Sequence, residues 1–173
     1  VTRGALALVV LAAAACGGDD VLPVAELMDP ATCAGCHPKH HREWASSMHA
    51  YAADDPVFLA MNRLGQEETG GALGDFCVRC HAPIALAQGL TTDGTNLPDV
   101  PQWAKGVTCY FCHNAVEVTG EHNAPIRLAD DQTMRGGLRD PITSPAHRTG
   151  YSNLLDATKP TSASLCGSCH DIV

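Results

Sequence analysis

Apolar positions along this chain fall into short blocks separated by polar, turn-forming stretches. The first block runs from Ala5 to Ala15, eleven apolar residues behind Arg3 and ahead of Cys16-Gly-Gly-Asp-Asp. That is the layout of a secretory signal, and it falls short of the about 20 apolar residues a membrane-spanning helix needs. Residues 17–30 are acidic and contain proline, which predicts a tether. Pro38 fits the first turn of a helix running through Trp44 to about residue 53, and a second helix is expected from Pro56. Further helical turns are expected over 75–88 and 162–171. Residues 89–106 and 119–160 are rich in Gly, Pro, Asp, Asn and Thr, with no sustained period of two or 3.6 residues, and read as loops. The pattern predicts a mainly α fold with extensive loops and little or no β-sheet.

Composition changes this picture in one respect. Of the 173 residues 45% are apolar, but much of that is alanine and only 5% are aromatic, so large core-forming side chains are scarce. A single domain over 31–173 with loops this long needs something else to fill its core. The formal charge of −8, with no run of Lys or Arg, gives no electrostatic footprint for phosphate backbones. Nucleic acid is excluded as a partner.

Cysteine spacing supplies the missing element. Cys16 stands at the signal's end, where "AAAC" resembles a bacterial lipoprotein cleavage site, with Ala13 where leucine is usual. The expectation is a lipid on Cys16, against an ordinary signal cleavage beside a leftover cysteine. The other eight cysteines form four Cys-x-x-Cys pairs: Cys33 and Cys36, Cys77 and Cys80, Cys109 and Cys112, Cys166 and Cys169. Each is followed at once by histidine, at His37, His81, His113 and His170, in a chain with only 9 histidines. Two thiols at this spacing can add across the two vinyl groups of a haem, and the next residue then offers an imidazole to the iron. Four covalently bound haems c are expected, filling the core in place of side chains. Zinc ribbons pair their knuckles about 15 to 20 residues apart, whereas 40, 28 and 53 residues separate these pairs. A disulfide framework gives no reason for the histidines, and thioredoxin-like chemistry expects one Cys-x-x-Cys in a βαβ setting.

Five histidines lie outside the motifs: His40, His41, His49, His122 and His147. A second axial imidazole at each iron needs four. On a continuous helix, His49 lies about 18 Å along the axis from His37, too far for both to grip one iron. It is therefore expected to ligate another haem, crosslinking its segment to a distant one. His40 and His41 stand beside the proximal ligand and read as haem-rim or surface residues. His122 and His147 are expected as further distal ligands. Met28, Met48, Met61 and Met134 are alternatives, although Met48 and Met61 read as packing against porphyrin. Trp44, Phe58, Phe76, Trp103, Tyr110 and Phe111 lie near the motifs and are expected on haem faces.

"CAGCHPKHHREWASSMHA" resembles the first-haem segment of the tetrahaem cytochrome c-554 family (the cytochrome c-552/4 domain), with a tryptophan seven residues after the motif and a Ser/Thr-x-His-Ala. "KGVTCYFCHNAVEVTGEHN" resembles its third-haem segment, with Gly106 and Val107 before the motif and His122 after it. The order and approximate spacing of all four motifs agree from about residue 30 onward. The resemblance implies closely stacked, mostly bis-histidine haems in an electron carrier. It also implies His49 and His122 as distal ligands, with His122 serving the haem of His37, and it allows one five-coordinate haem. The chain begins with Val1 and ends three residues after His170, so a C-terminally truncated member is expected.

Two function classes follow. The first is an electron-transfer protein in the periplasm or at the cell surface, lipid-anchored, exchanging electrons with redox protein partners. The second is a haem-based reductase or oxidase of a small nitrogen or sulfur compound at a five-coordinate iron. Five spare histidines for four irons favour the carrier over the enzyme, and assembly into a filament is neither favoured nor excluded.

Overall fold

The computed structural model describes residues 21–171, so the signal and Cys16 lie outside the described residues. Its helices are short: α1 (Val24–Leu27), α2 (Pro30–Cys33), α3 (Pro38–Ala45), α4 (Met48–Tyr51), α5 (Pro56–Glu68), α6 (Val78–His81), α7 (Pro83–Ala87), α8 (Cys109–Asn114) and α9 (Ser162–His170). Proline occupies the first turn of α2, α3, α5 and α7, where its missing N–H costs no hydrogen bond. The carboxylates of Asp29 and Asp55 cap α2 and α5 by accepting from Ala31 N and Phe58 N at 2.9 and 2.8 Å. The helix expected over 38–53 breaks at Ser46-Ser47. The Ser47 hydroxyl donates to Trp44 O at 2.7 Å, giving the chain a local partner in place of the next helical bond.

The expectation of little or no β-sheet is corrected. Strands β1 (Ala115–Val118) and β2 (Ile126–Leu128) form an antiparallel hairpin, and β3 (Thr133–Gly136) and β4 (Arg148–Tyr151) a parallel pair. Each strand has three or four residues, too few to display alternation, and β3 finds its partner across a long connection. Local periodicity cannot register such pairing. The tether expected over 17–30 is shortened as well. Leu22 N donates to Ala146 O at 2.9 Å, and Leu27 and Met28 are buried in the core.

The core collects the reverse faces of the motif helices. Residues i, i+3 and i+4 share one side of a helix, so Cys77, Cys80 and His81 lie together, as do Cys109, Cys112 and His113. The opposite sides bury Val78, Ala82, Tyr110 and Phe111 with Ile84, Leu97 and Ala104. The sheets then fix the motifs. Asn114 Nδ2 donates to Asp131 O and Thr133 O at 3.0 and 3.3 Å, tying α8 to β3. At the β1–β2 turn Ala124 N donates to Ser168 O at 2.7 Å, tying the hairpin to α9.

Candidate haem-binding centre

Each Cys-x-x-Cys-His sits on a helical turn. His37 N donates to Cys33 O at 2.8 Å and His81 N to Cys77 O at 3.2 Å, while the third and fourth motifs lie within α8 and α9. The Thr108 hydroxyl caps α8 from the residue before Cys109. The eight thiols are not joined as disulfides.

The fold brings the four motifs into one chain of contacts. Cys33 and Cys109 hydrogen-bond each other through their thiols, which lowers the pKa of Cys109 to about 7 and raises that of Cys33. Cys80 and Cys169 do the same, with Cys169 lowered to about 7 and Cys80 raised. Burial pushes the Cys112 thiol up to about 11, with added pressure from the neighbouring Cys166 and Cys169. The first motif therefore lies by the third and the second by the fourth, with the third and fourth within electrostatic range of each other.

The imidazoles carry the clearest geometry. His81 Nδ1 bonds Ala52 O at 2.9 Å, and His113 Nδ1 bonds Arg135 O. His147 Nδ1 bonds Arg148 O at 3.0 Å. A carbonyl only accepts, so in each ring Nδ1 carries the proton and Nε2 keeps the lone pair a metal needs. The rings of His37 and His147 have centroids 6.4 Å apart, and those of His49 and His170 are 6.1 Å apart. A metal–imidazole bond is about 2 Å, and the ring centre lies roughly 1 Å behind its nitrogen. Two imidazoles across one metal stand roughly 6 Å apart, a spacing these two pairs have; His40, at 6.3 Å from His37, shares it but is on the same helix as the proximal ligand and beside it. Burial, followed by the nearby rings of His147, His40 and His113, holds the His37 pKa below its ordinary value.

The remaining candidates are placed otherwise. His122, expected at the haem of His37, lies at the end of α9, its Nδ1 3.3 Å from Asp171 O and 3.4 Å from Asp171 Oδ2. The ring nearest His37 from another segment is that of His147. His40 pairs with Glu43 at the surface, and His41 lies against Trp44. The ring of His81 is stacked flat on Phe58, with centroids 3.9 Å apart and planes 2° from parallel. Sequence reasoning passed over the backbone carbonyls of Ala52 and Arg135. Nothing in a residue's identity marks its carbonyl as a histidine's partner.

Among the described residues no three His, Cys, Asp or Glu side chains converge on one point. The donors come instead as opposed imidazole pairs beside paired thiols. A haem would supply the remaining iron donors from its porphyrin, with the motif thiols taking its vinyl groups and the imidazoles offered to its iron. The residues fit haem c.

No curated protein and no solved structure matches the chain. A family model does, over residues 32–114, a span that takes in the first three motifs, Trp44, His49, Gly106 and Val107; its description is cytochrome c554 and c-prime. Residues 32–114, with three of the four thioether motifs, are therefore a segment of the cytochrome c554 type, which supports a haem-based electron-transfer role.

Proposed function

We propose that the chain binds four haems c and conducts electrons along them in the order set by motif contact: His37, His113, His170, His81. The observation that supports this reading is the proximity of the motif thiols: Cys33 interacts with Cys109, Cys169 with Cys80, and Cys112 lies within electrostatic range of Cys166 and Cys169. Haem supplies the redox change itself, iron alternating between two oxidation states. The chain's own residues anchor and orient it. Eight cysteines hold the macrocycles by thioethers, so no haem is lost when an axial ligand lets go. His37 with His147, and His170 with His49, close two irons from both sides. The carbonyls on Nδ1 of His81 and His113 make those imidazoles stronger donors, which favours the oxidised iron and lowers its potential. A relay of this kind calls for redox protein partners at its ends and for no substrate chemistry.

Haem staining of a denaturing gel together with intact mass tests the count. Four haems per chain are expected; two or fewer, or stoichiometric zinc, would end the reading. Carbon monoxide binding by the reduced protein at three or more haems would favour the reductase instead.

The same reading places the protein outside the cytoplasm, where haem is attached, held at a membrane by a lipid on Cys16. Among the described residues no helix is long and apolar enough to cross a membrane. Cys16→Ser is expected to move the protein into the soluble exported fraction, and unchanged fractionation would leave only an ordinary signal.

A further inference from the structure

We infer that residues 105–107, just ahead of the third motif, form a clasp that sets the ligation of two irons at once, those of His170 and His81. The inference rests on the proposed role of His49 as the imidazole opposite His170. It concerns how that imidazole is seated, and what else the same contact controls.

Three adjacent residues grip one turn of chain. Val107 N donates to His49 O at 2.8 Å, and Val107 O in turn accepts the indole N–H of Trp44 at 2.8 Å. Gly106 has φ +71, and a Cβ there would stand 2.4 Å from His49 O and 2.8 Å from Ala50 O. Only glycine permits both the backbone conformation and the approach. Lys105 Nζ pairs with Asp54 Oδ1 at 2.8 Å, with the lysine side chain 10% exposed. A buried cation with a single carboxylate partner holds that partner tightly, because separating them strands a charge.

The gripped turn serves two sites. His49 at its start faces His170, with ring centroids 6.1 Å apart. Ala52, three residues on, accepts from His81 Nδ1 at 2.9 Å. Ala52 lies between the two gripped points, His49 and Asp54, so its carbonyl cannot move without them. His37 and His113 have their neighbours elsewhere, the His147 ring beside His37 and Arg135 O accepting from His113 Nδ1. A fault in the clasp should therefore appear at two haems and spare the other two.

The test uses the full-length, haem-loaded protein with Gly106→Ala, Lys105→Met and Trp44→Phe, and with His49→Ala as reference. Gly106→Ala is expected to convert one haem per chain to a high-spin form that binds carbon monoxide. Added imidazole should restore its low-spin spectrum. A second haem should shift to higher midpoint potential as His81 loses its carbonyl partner, and the remaining two should keep theirs. Lys105→Met should shift the same second haem, and Trp44→Phe should give a fraction of the high-spin signal. These two variants carry the test if Gly106→Ala fails to mature. If His49→Ala opens one haem while the clasp variants leave every spectrum and potential unchanged, the clasp is overturned and the ligand role stands. If His49→Ala opens none, the ligand role itself falls. A shift spread evenly over all haems would also overturn the clasp, since a general loss of packing would produce it.

Discussion

The imidazoles of His37 and His147 lie with centroids 6.4 Å apart and planes 30° from parallel, bringing the first motif to the segment ahead of β4. Only one position beyond His147, Arg148 N donates to Gln132 O at 2.9 Å, so the ring is anchored by the start of the β3–β4 pair. His147→Ala should leave four haems attached and convert the one on His37 to a high-spin, ligand-binding form, since the thioethers do not depend on the axial ligand. Carbon monoxide difference spectra of the reduced protein would count it. An unaltered spectrum would make His147 a surface residue.

How this pairing escaped the sequence is instructive. The four Cys-x-x-Cys-His motifs are local, so their chemistry is legible in five consecutive letters. The partner of each imidazole depends on how distant segments meet, and β3 and β4, which bring His147 to His37, are four residues each with no alternation to read. Resemblance to the third-haem segment points to His122, which the hairpin places beside Asp171. In α5 the period of the helix was legible from Pro56 onward, but its orientation was not. Val57, Met61 and Leu64 face outward, while Phe58, Asn62 and Gln66 are buried. The amide nitrogens of this pair are satisfied by loop backbone, Asn62 Nδ2 donating to Asp93 O at 2.8 Å and Gln66 Nε2 to Gly74 O at 2.7 Å, while Asn62 Oδ1 and Gln66 Oε1 are buried with no partner among the described residues. A hydrophobicity pattern cannot foresee carbonyls offered by a loop.

Phe58 is 8% exposed and lies flat on the His81 ring at 3.9 Å. Phe58→Ala removes a buried aromatic and should cost about 3 kcal/mol of stability, read as a lowered midpoint of thermal unfolding. Phe58→Leu should recover most of it. The imidazole would still be held by Ala52 O but free to rock about that bond, so the low-spin signal of one haem should broaden in the alanine variant alone. Equal broadening in both would point to loss of the flat aromatic face.

Asp131 couples acid stability to the strand behind the third motif. Its carboxylate receives both terminal nitrogens of Arg135, at 2.8 and 3.1 Å, and this pairing lowers its pKa to about 2. The ordinary value in an unfolded chain is about 3.9. A depressed folded pKa means the contribution is complete above about pH 4 and is lost as pH falls through about 2. Asp131→Asn should therefore flatten the fall of the unfolding temperature between about pH 4 and pH 2, while starting from a lower plateau at neutral pH. An identical pH profile in both proteins would show that the pair contributes nothing.

The order of motif contacts makes the third motif the middle of the relay. Its Cys109 meets Cys33 on one side and its Cys112 lies by Cys166 and Cys169 on the other, whereas Cys80 of the second motif reaches Cys169 alone. Removing the third haem by the double change Cys109→Ala and Cys112→Ala should isolate the haem on His37 from the pair on His170 and His81. Removing the second haem by Cys77→Ala and Cys80→Ala should only shorten the chain at its end. After flash reduction at one haem, equilibration with the rest should slow at least tenfold in the first variant and stay fast among the three haems left in the second. Both variants lose one haem and two thioethers, so a general weakening of the fold would slow them alike. Equal rates in the two variants would show that electrons do not follow the order in which the motifs touch.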